Sequence, residues 1–235
     1  MKEYVQRENV SDCSFVDNCA GSDGGAVYFA GDTYDDRHIS NITKSNFINN
    51  TASSGGAIAF DAAATGTIDT CSFNNNTARS TGGAISYILM MVETSTILNS
   101  NFTNNSAQAG GAINTNYGSL VIDNSNFINN TAYIGSAING GDAYQFTIYN
   151  SYFKDNKANS TNIIKKADTR LTLTLTGNDN YINAIHAEKD YVTLNLENVT
   201  FYDCFTNGTS YPAVIDLVAN SKMSMDGCSI NNTCS

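Results

Sequence analysis

Apolar and polar positions along this chain repeat in blocks. The first block has the form Ser/Cys-x-Phe-x-x-Asn-Thr-Ala. It opens as Cys13-Ser14-Phe15-Val16-Asp17-Asn18-Cys19-Ala20 and returns around Phe47, Phe73, Phe102 and Phe127. Phe153 carries a version with Lys157 in the Thr slot. Phe201 follows after about twice the period, and Ile230 takes the slot after that. From Phe15 to Phe153 the phenylalanines stand 25 to 32 residues apart. A second block, Gly-Gly-Ala-Ile/Val, follows each Asn by a short turn: Gly24 to Val27, Gly55 to Ile58, Gly82 to Ile85 and Gly110 to Ile113. Gly135-Ser136-Ala137-Ile138 is a looser copy, and Asn183-Ala184-Ile185 and Pro212-Ala213-Val214 are decayed ones. A third apolar stretch precedes each Phe block, at Ile39/Ile42, Ile68, Ile97, Val121/Ile122, Phe146/Ile148, Val192/Leu194/Leu196 and Met223/Met225.

No 3.6-residue period recurs, and the apolar stretches are rich in β-branched and aromatic residues, so they predict strands. Three short strands per repeat is too much for a hexapeptide helix, and the period is too short for a propeller blade of about 40 residues. The simplest closure is one coil per repeat, with like residue stacked on like at an inter-strand rise of ~4.8 Å. The expected fold is all-β: a right-handed, single-stranded parallel β-helix of about eight coils, with residues 1–235 as one domain. Eight such coils make a rod of roughly 40 Å. Phe at a fixed slot predicts an internal aromatic column. Asn18, Asn50, Asn76, Asn105, Asn130 and Asn156 predict a ladder at a turn, because an amide both donates and accepts. Gly-Gly predicts a positive-φ bend with close backbone approach, and Ala a narrow part of the coil.

Composition narrows the function. There are 12 basic and 22 acidic residues, a net charge of −10, with charged residues only 14% of the chain. An acidic chain without a Lys/Arg cluster points away from nucleic acid and anionic membrane surfaces. The longest apolar run, Ile88-Leu89-Met90-Met91-Val92, is too short to span a membrane. Met1-Lys2-Glu3-Tyr4 begins no signal-peptide apolar region. A secreted origin would therefore make the chain an excised piece of a larger surface protein, and the open coil ends point the same way.

The paired Phe-x-x-Asn and Gly-Gly-Ala-Ile/Val blocks resemble the repeats of chlamydial polymorphic outer membrane proteins. The Asn-rich style, and the stretch Gly177-Asn178-Asp179-Asn180-Tyr181-Ile182-Asn183-Ala184-Ile185 leading to Asn198-Val199-Thr200-Phe201, is similar to adhesin-like surface proteins of methanogenic archaea. The resemblance covers about residues 11 to 235. It implies an extracellular, surface-exposed β-helical adhesin and supplies no catalytic residues. With the general crossover bias of parallel strands it also gives the expected hand.

Six cysteines lie at 13, 19, 71, 204, 228 and 234. Cys13 with Cys19, and Cys228 with Cys234, share one spacing and are candidates for two local disulfides tying the terminal coils. The alternative is six buried thiols in Ser/Thr slots, which suits Cys71 and Cys204 better. The spacing is not that of a zinc finger, and the histidines are His38 and His186 only, so no metal is expected. Sequons at Asn41, Asn49, Asn75, Asn101, Asn129, Asn198 and Asn207 suit a glycosylated protein, but the repeat itself generates most of them.

The fold is also used by polysaccharide lyases and hydrolases, which need carboxylates converging on one groove. The best stretch is Gly31-Asp32-Thr33-Tyr34-Asp35-Asp36-Arg37-His38, yet no carboxylates occupy matching slots in the next coils. Asp61 and Asp69 are isolated and Arg79 stands alone. Asp32, Asp35 and Asp36 lack the spacing of a calcium loop, so a solvated loop is expected. Recognition through loops fits better, with Tyr34, Asp35, Asp36, Tyr117, Tyr133 and Tyr144 as candidate ligand contacts. Phe29, Phe60 and Tyr87 share a slot and are expected to stack as core. The leading expectation is a non-catalytic, monomeric adhesin module, without cofactor, that binds a glycan or protein on a partner cell. The alternatives are a polysaccharide lyase or glycoside hydrolase, and a passive stalk or surface-layer spacer.

Overall fold

The computed structural model describes the backbone of residues 4–31, 36–62, 64–88, 94–116, 119–140, 145–161, 164–166, 172–181, 185–187, 193–202, 215–217, 222–226 and 229–231. Side chains are described up to Lys157, apart from those at 4, 36, 37, 145–147 and 149. The first coil gives β1 (Tyr4–Ser11), β2 (Ser14–Val16) and β3 (Val27–Ala30). Four strands then recur per coil. The second coil holds β4 (Asp36–Thr43), β5 (Asn46–Ile48), β6 (Thr51–Ser54) and β7 (Ile58–Asp61), and the third β8 (Ala64–Asp69), β9 (Ser72–Asn74), β10 (Thr77–Thr81) and β11 (Ile85–Tyr87). Next come β12 (Thr94–Leu98), β13 (Asn101–Thr103), β14 (Ser106–Ala109) and β15 (Ile113–Thr115), then β16 (Ser119–Asp123), β17 (Asn126–Ile128), β18 (Thr131–Ile134) and β19 (Ile138–Gly140). The sixth coil holds β20 (Gln145–Tyr149), β21 (Tyr152–Lys154), β22 (Lys157–Thr161) and β23 (Ile164–Lys166). Beyond it lie β24 (Thr172–Tyr181), β25 (Ile185–Ala187), β26 (Thr193–Tyr202), β27 (Ile215–Leu217), β28 (Lys222–Asp226) and β29 (Ser229–Asn231).

Strands pair by their place in the coil. The first face runs β1-β4-β8-β12-β16-β20-β24-β26-β28, with β29 also on β26. The second runs β2-β5-β9-β13-β17-β21, the third β6-β10-β14-β18-β22 and the fourth β3-β7-β11-β15-β19-β23-β25-β27. Pairing is parallel and stacks like on like: Phe102 lies between Phe73 and Phe127, and Ile85 between Ile58 and Ile113. This is a parallel β-helix. Among the described residues its fourth face holds 8 strands, one for each expected coil, and about four turns, from β4 to β19, form the best-described part of the solenoid.

The second face builds the main aromatic column. Phe15, Phe47, Phe73, Phe102, Phe127 and Phe153 stack with ring centroids 4.8 to 4.9 Å apart and planes within 5°. Phe47 to Phe153 are fully buried, each burial contributing about 1.5–3 kcal/mol. As expected, Phe29, Phe60 and Tyr87 form a second stack, at 5.2 and 4.9 Å. Gly66 leaves that stack its space, since a Cβ there would lie 2.7 Å from the Phe60 ring. Burial pushes the Tyr87 phenol up, against the opposing effect of the Ser95 hydroxyl.

The Asn ladder closes the corner between the second and third faces. Asn50, Asn76, Asn105 and Asn130 are wholly buried. Each Nδ2 donates to the Oδ1 of the next coil's Asn at 3.0 Å and to the carbonyl of the preceding coil's Phe at 2.9–3.1 Å. Each next Oδ1 also accepts the backbone N–H of the Asn before it, at 2.9–3.0 Å. Both amide hydrogens and both carbonyl lone pairs are therefore used, which is what makes a buried polar column tolerable.

Cys71 sits in a ladder of serines. Ser45, Ser100 and Ser125 each donate through Oγ to the carbonyl two residues before them, at 2.7–3.0 Å. The Cys71 thiol does the same to Asp69 at 3.4 Å and also reaches Ile42 O. Burial pushes this thiol up, opposed by the Ser45 backbone N–H. Of the two candidate local disulfides, that between Cys13 and Cys19 is not present: both are free thiols. Strand β2 and the left-handed turn at Asp17 lie between them, so Cys13 stands before one face and Cys19, bridged to Thr51, opens the next. Cys13 instead donates to Ser11 O at 3.1 Å. Cys204, Cys228 and Cys234 lie outside the described residues.

Candidate functional site

The third face alternates inward and outward side chains as the second does, with alanine in place of phenylalanine at the inward position. Every strand there follows the pattern polar-Ala-variable: Thr51-Ala52-Ser53, Thr77-Ala78-Arg79, Ser106-Ala107-Gln108, Thr131-Ala132-Tyr133 and Lys157-Ala158-Asn159. Alternation turns the alanine inward, with Ala52, Ala78 and Ala132 buried, and turns its neighbours out. Arg79, Gln108 and Tyr133 are exposed on the consecutive strands β10, β14 and β18. Ala107 pairs with Ala132, which sets Gln108 beside Tyr133. Tyr133 is 58% exposed, the highest value among the exposed large apolar side chains described. These strands contain no Asp or Glu, and they carry Arg79 and Lys157.

Tyr133 is thus the one expected contact residue that can be placed with its side chain. Asp36 opens β4, in register with Tyr4. Tyr34, Asp35, Tyr117 and Tyr144 lie outside the described residues. Arg79 gains neighbours that its sequence surroundings did not suggest. The available signal was the polar-Ala-variable alternation, which places Arg79, Gln108 and Tyr133 at one position of successive coils.

The base of the acidic stretch turns inward. His38 is buried, and its ring meets Phe29 edge-on at 5.6 Å. Its Nδ1–H donates to Ala30 O at 3.0 Å, and Nε2 lies 3.3 Å from Glu8 Oε2. It caps the second aromatic stack and ties β1 to β4. Asp61 also has a structural partner: the Tyr28 hydroxyl donates to its Oδ2 at 2.8 Å. That hydrogen bond first, then desolvation and the carboxylates of Asp61 and Asp23, push the Tyr28 phenol up to about 12. Asp69 accepts from Asn99 and Thr70. Among the described residues no three His, Cys, Asp or Glu side chains gather as a metal site, and no helix is long and apolar enough to cross a membrane.

The fold and surface define a repeat-built parallel β-helix with a stacked interior and varied outward side chains. Residues 12–30, 44–61 and 70–87 match the Chlamydia polymorphic membrane protein repeat. The three matches fall on the first three coils, each running from the Phe block to the strand after Gly-Gly. The chain is therefore similar to that repeat, and repeat and fold together fit a module of a surface protein. No curated protein matches the chain, and no solved structure does.

Proposed function

We propose that this chain is a non-catalytic adhesin module that binds a glycan or protein on a partner cell surface, and that it acts outside the cell. The observation that carries this reading is the repeat match on three successive coils, because it links the coil-building residues themselves to a membrane protein repeat. The chemistry agrees. The residues that recur from coil to coil are used up by the interior: Phe in a stack, Asn in a closed hydrogen-bond ladder, Gly at corners. Diversity is left to outward positions on rigid strands, where a scaffold presents recognition groups with little loss of side-chain freedom.

The test is binding of the labelled protein to an array of plant, animal and microbial polysaccharides, together with adhesion of protein-coated beads to whole cells. Saturable binding that leaves the ligand intact is the expected result. Depolymerisation of the arrayed glycan, lost on mutating Asp35 and Asp36, would replace the adhesin by an enzyme. Absence of binding in both formats would leave a passive stalk.

A further inference from the structure

We propose that the third face is a docking strip for a linear, uronate-bearing polysaccharide lying along the rod axis. Arg79 would pair with a carboxylate, Gln108 would hydrogen-bond ring hydroxyls, and Tyr133 would take a sugar face. This rests on the adhesin reading above and names the ligand class and the surface.

Three observations carry it. The first is charge. In a chain with 22 acidic and 12 basic residues, strands β6, β10, β14, β18 and β22 hold two cations and no carboxylate. A guanidinium presents a planar fork of donors matched to a carboxylate, and nothing on these strands neutralises it. The second is alignment. Gln108 and Tyr133 follow the paired inward alanines of β14 and β18 and stand side by side at the strand repeat of ~4.8 Å, and Arg79 follows Ala78 on the next strand, at the bulge where the register of β10 shifts against both neighbours. That repeat is close to the length of one pyranose in an extended glycan, so a polymer along the axis can present one sugar per coil. The third is the neighbouring column. Thr77, Ser106 and Thr131 stand two residues before Arg79, Gln108 and Tyr133, in register on the same strands. They supply hydroxyl donors and acceptors beside the strip. An exposed tyrosine alone would need no explanation. Joined to an uncompensated Arg and an amide, it completes the groups that hold an acidic sugar: ion pair, hydrogen bond and CH–aromatic face.

The test is titration of the full chain with polygalacturonate, alginate and hyaluronate, and with carboxyl-reduced polygalacturonate as the neutral control. At least one uronate polymer is expected to bind, with affinity falling steeply as salt rises, while the reduced polymer binds at least tenfold more weakly. Arg79→Glu and Tyr133→Ala should each weaken binding tenfold or more. Thr103→Ala, on the second face, should leave it unchanged. Unchanged urea midpoints would show that each variant is folded. Binding that ignores carboxyl reduction, or that survives both third-face variants, overturns the strip and leaves the adhesin. Array binding confined to neutral glycans does the same. Failure of every glycan and of whole-cell adhesion overturns both.

Discussion

Asn105 offers the sharpest test of how this rod holds together. Its amide takes part in four hydrogen bonds: Nδ2 to Asn130 Oδ1 and to Phe73 O, and Oδ1 from the Asn76 amide and from the Asn76 backbone N–H, all within 3.0–3.1 Å. Asn105→Ala removes all four in a site without solvent. A net contribution of about 1 kcal/mol per bond gives about 4 kcal/mol, and stranding the Asn76 donors raises rather than lowers that figure. Asn105→Asp is more informative. Its carboxylate could still accept from Asn76, but it would face the Phe73 carbonyl and the Asn130 Oδ1 with no hydrogen to offer. Burial and those oxygens raise the folded-state pKa of this Asp above its ordinary value of about 3.9. A raised folded pKa gives stability that is complete below the unfolded pKa and is lost as pH rises through the folded one. The gap between Asn105→Asp and the parent should therefore narrow on acidification, while that of Asn105→Ala should not. Urea unfolding followed by far-UV circular dichroism, at several pH values with linear extrapolation, measures both. A loss below about 1 kcal/mol for Asn105→Ala at unchanged denaturant slope, or a pH-independent gap for Asn105→Asp, would refute the closed ladder.

Three further outcomes follow from the same geometry. Gly83→Ala should prevent the middle coils from stacking, because its Cβ would overlap the Gly111 carbonyl, whereas Gly21→Ala, with open space around it, should leave the urea midpoint unchanged. Ultraviolet titration should find the Tyr28 phenol ionising near pH 12, a step identified by its loss in Tyr28→Phe, and Asp61→Asn should bring it back down. The Tyr28–Asp61 contact contributes to stability in full below the ordinary tyrosine pKa of about 10 and is lost only as pH rises through the shifted value. With a thiol reagent at neutral pH, exposed Cys19 should react in the folded protein, but buried Cys71 only on unfolding. Cys71→Ser should cost less than about 1.5 kcal/mol, since it restores the residue that its ladder uses elsewhere.

Sequence alone determined the columns. A residue that recurs once per coil must stack on itself when coils are parallel and in register, so Phe, Asn and Gly-Gly announced the interior. Their chemistry announced how each column would be satisfied. The columns also showed that Phe29, Phe60 and Tyr87 were core, and that Cys71 occupied a serine slot. What required the tertiary structure was whatever depends on the path between columns. Asp17, Asn49, Asn75, Asn104, Asn129 and Asp155 all turn one corner with φ of 54° to 57°. Asp12, Lys44, Thr70, Asn99, Asn124 and Asn150 turn another with φ of 44° to 56°. The second set mixes Lys and Thr with Asn, so its residue types gave no common signal for a left-handed turn. The strand between Cys13 and Cys19 holds apart two thiols whose spacing had suggested a bridge. Arg79, Gln108 and Tyr133 are 25 or more residues apart along the chain and unlike one another, so only their place after the alanine of each repeat linked them. Only the stacking of β10, β14 and β18 sets them one strand apart, because neighbours in a β-helix are a full coil distant in sequence.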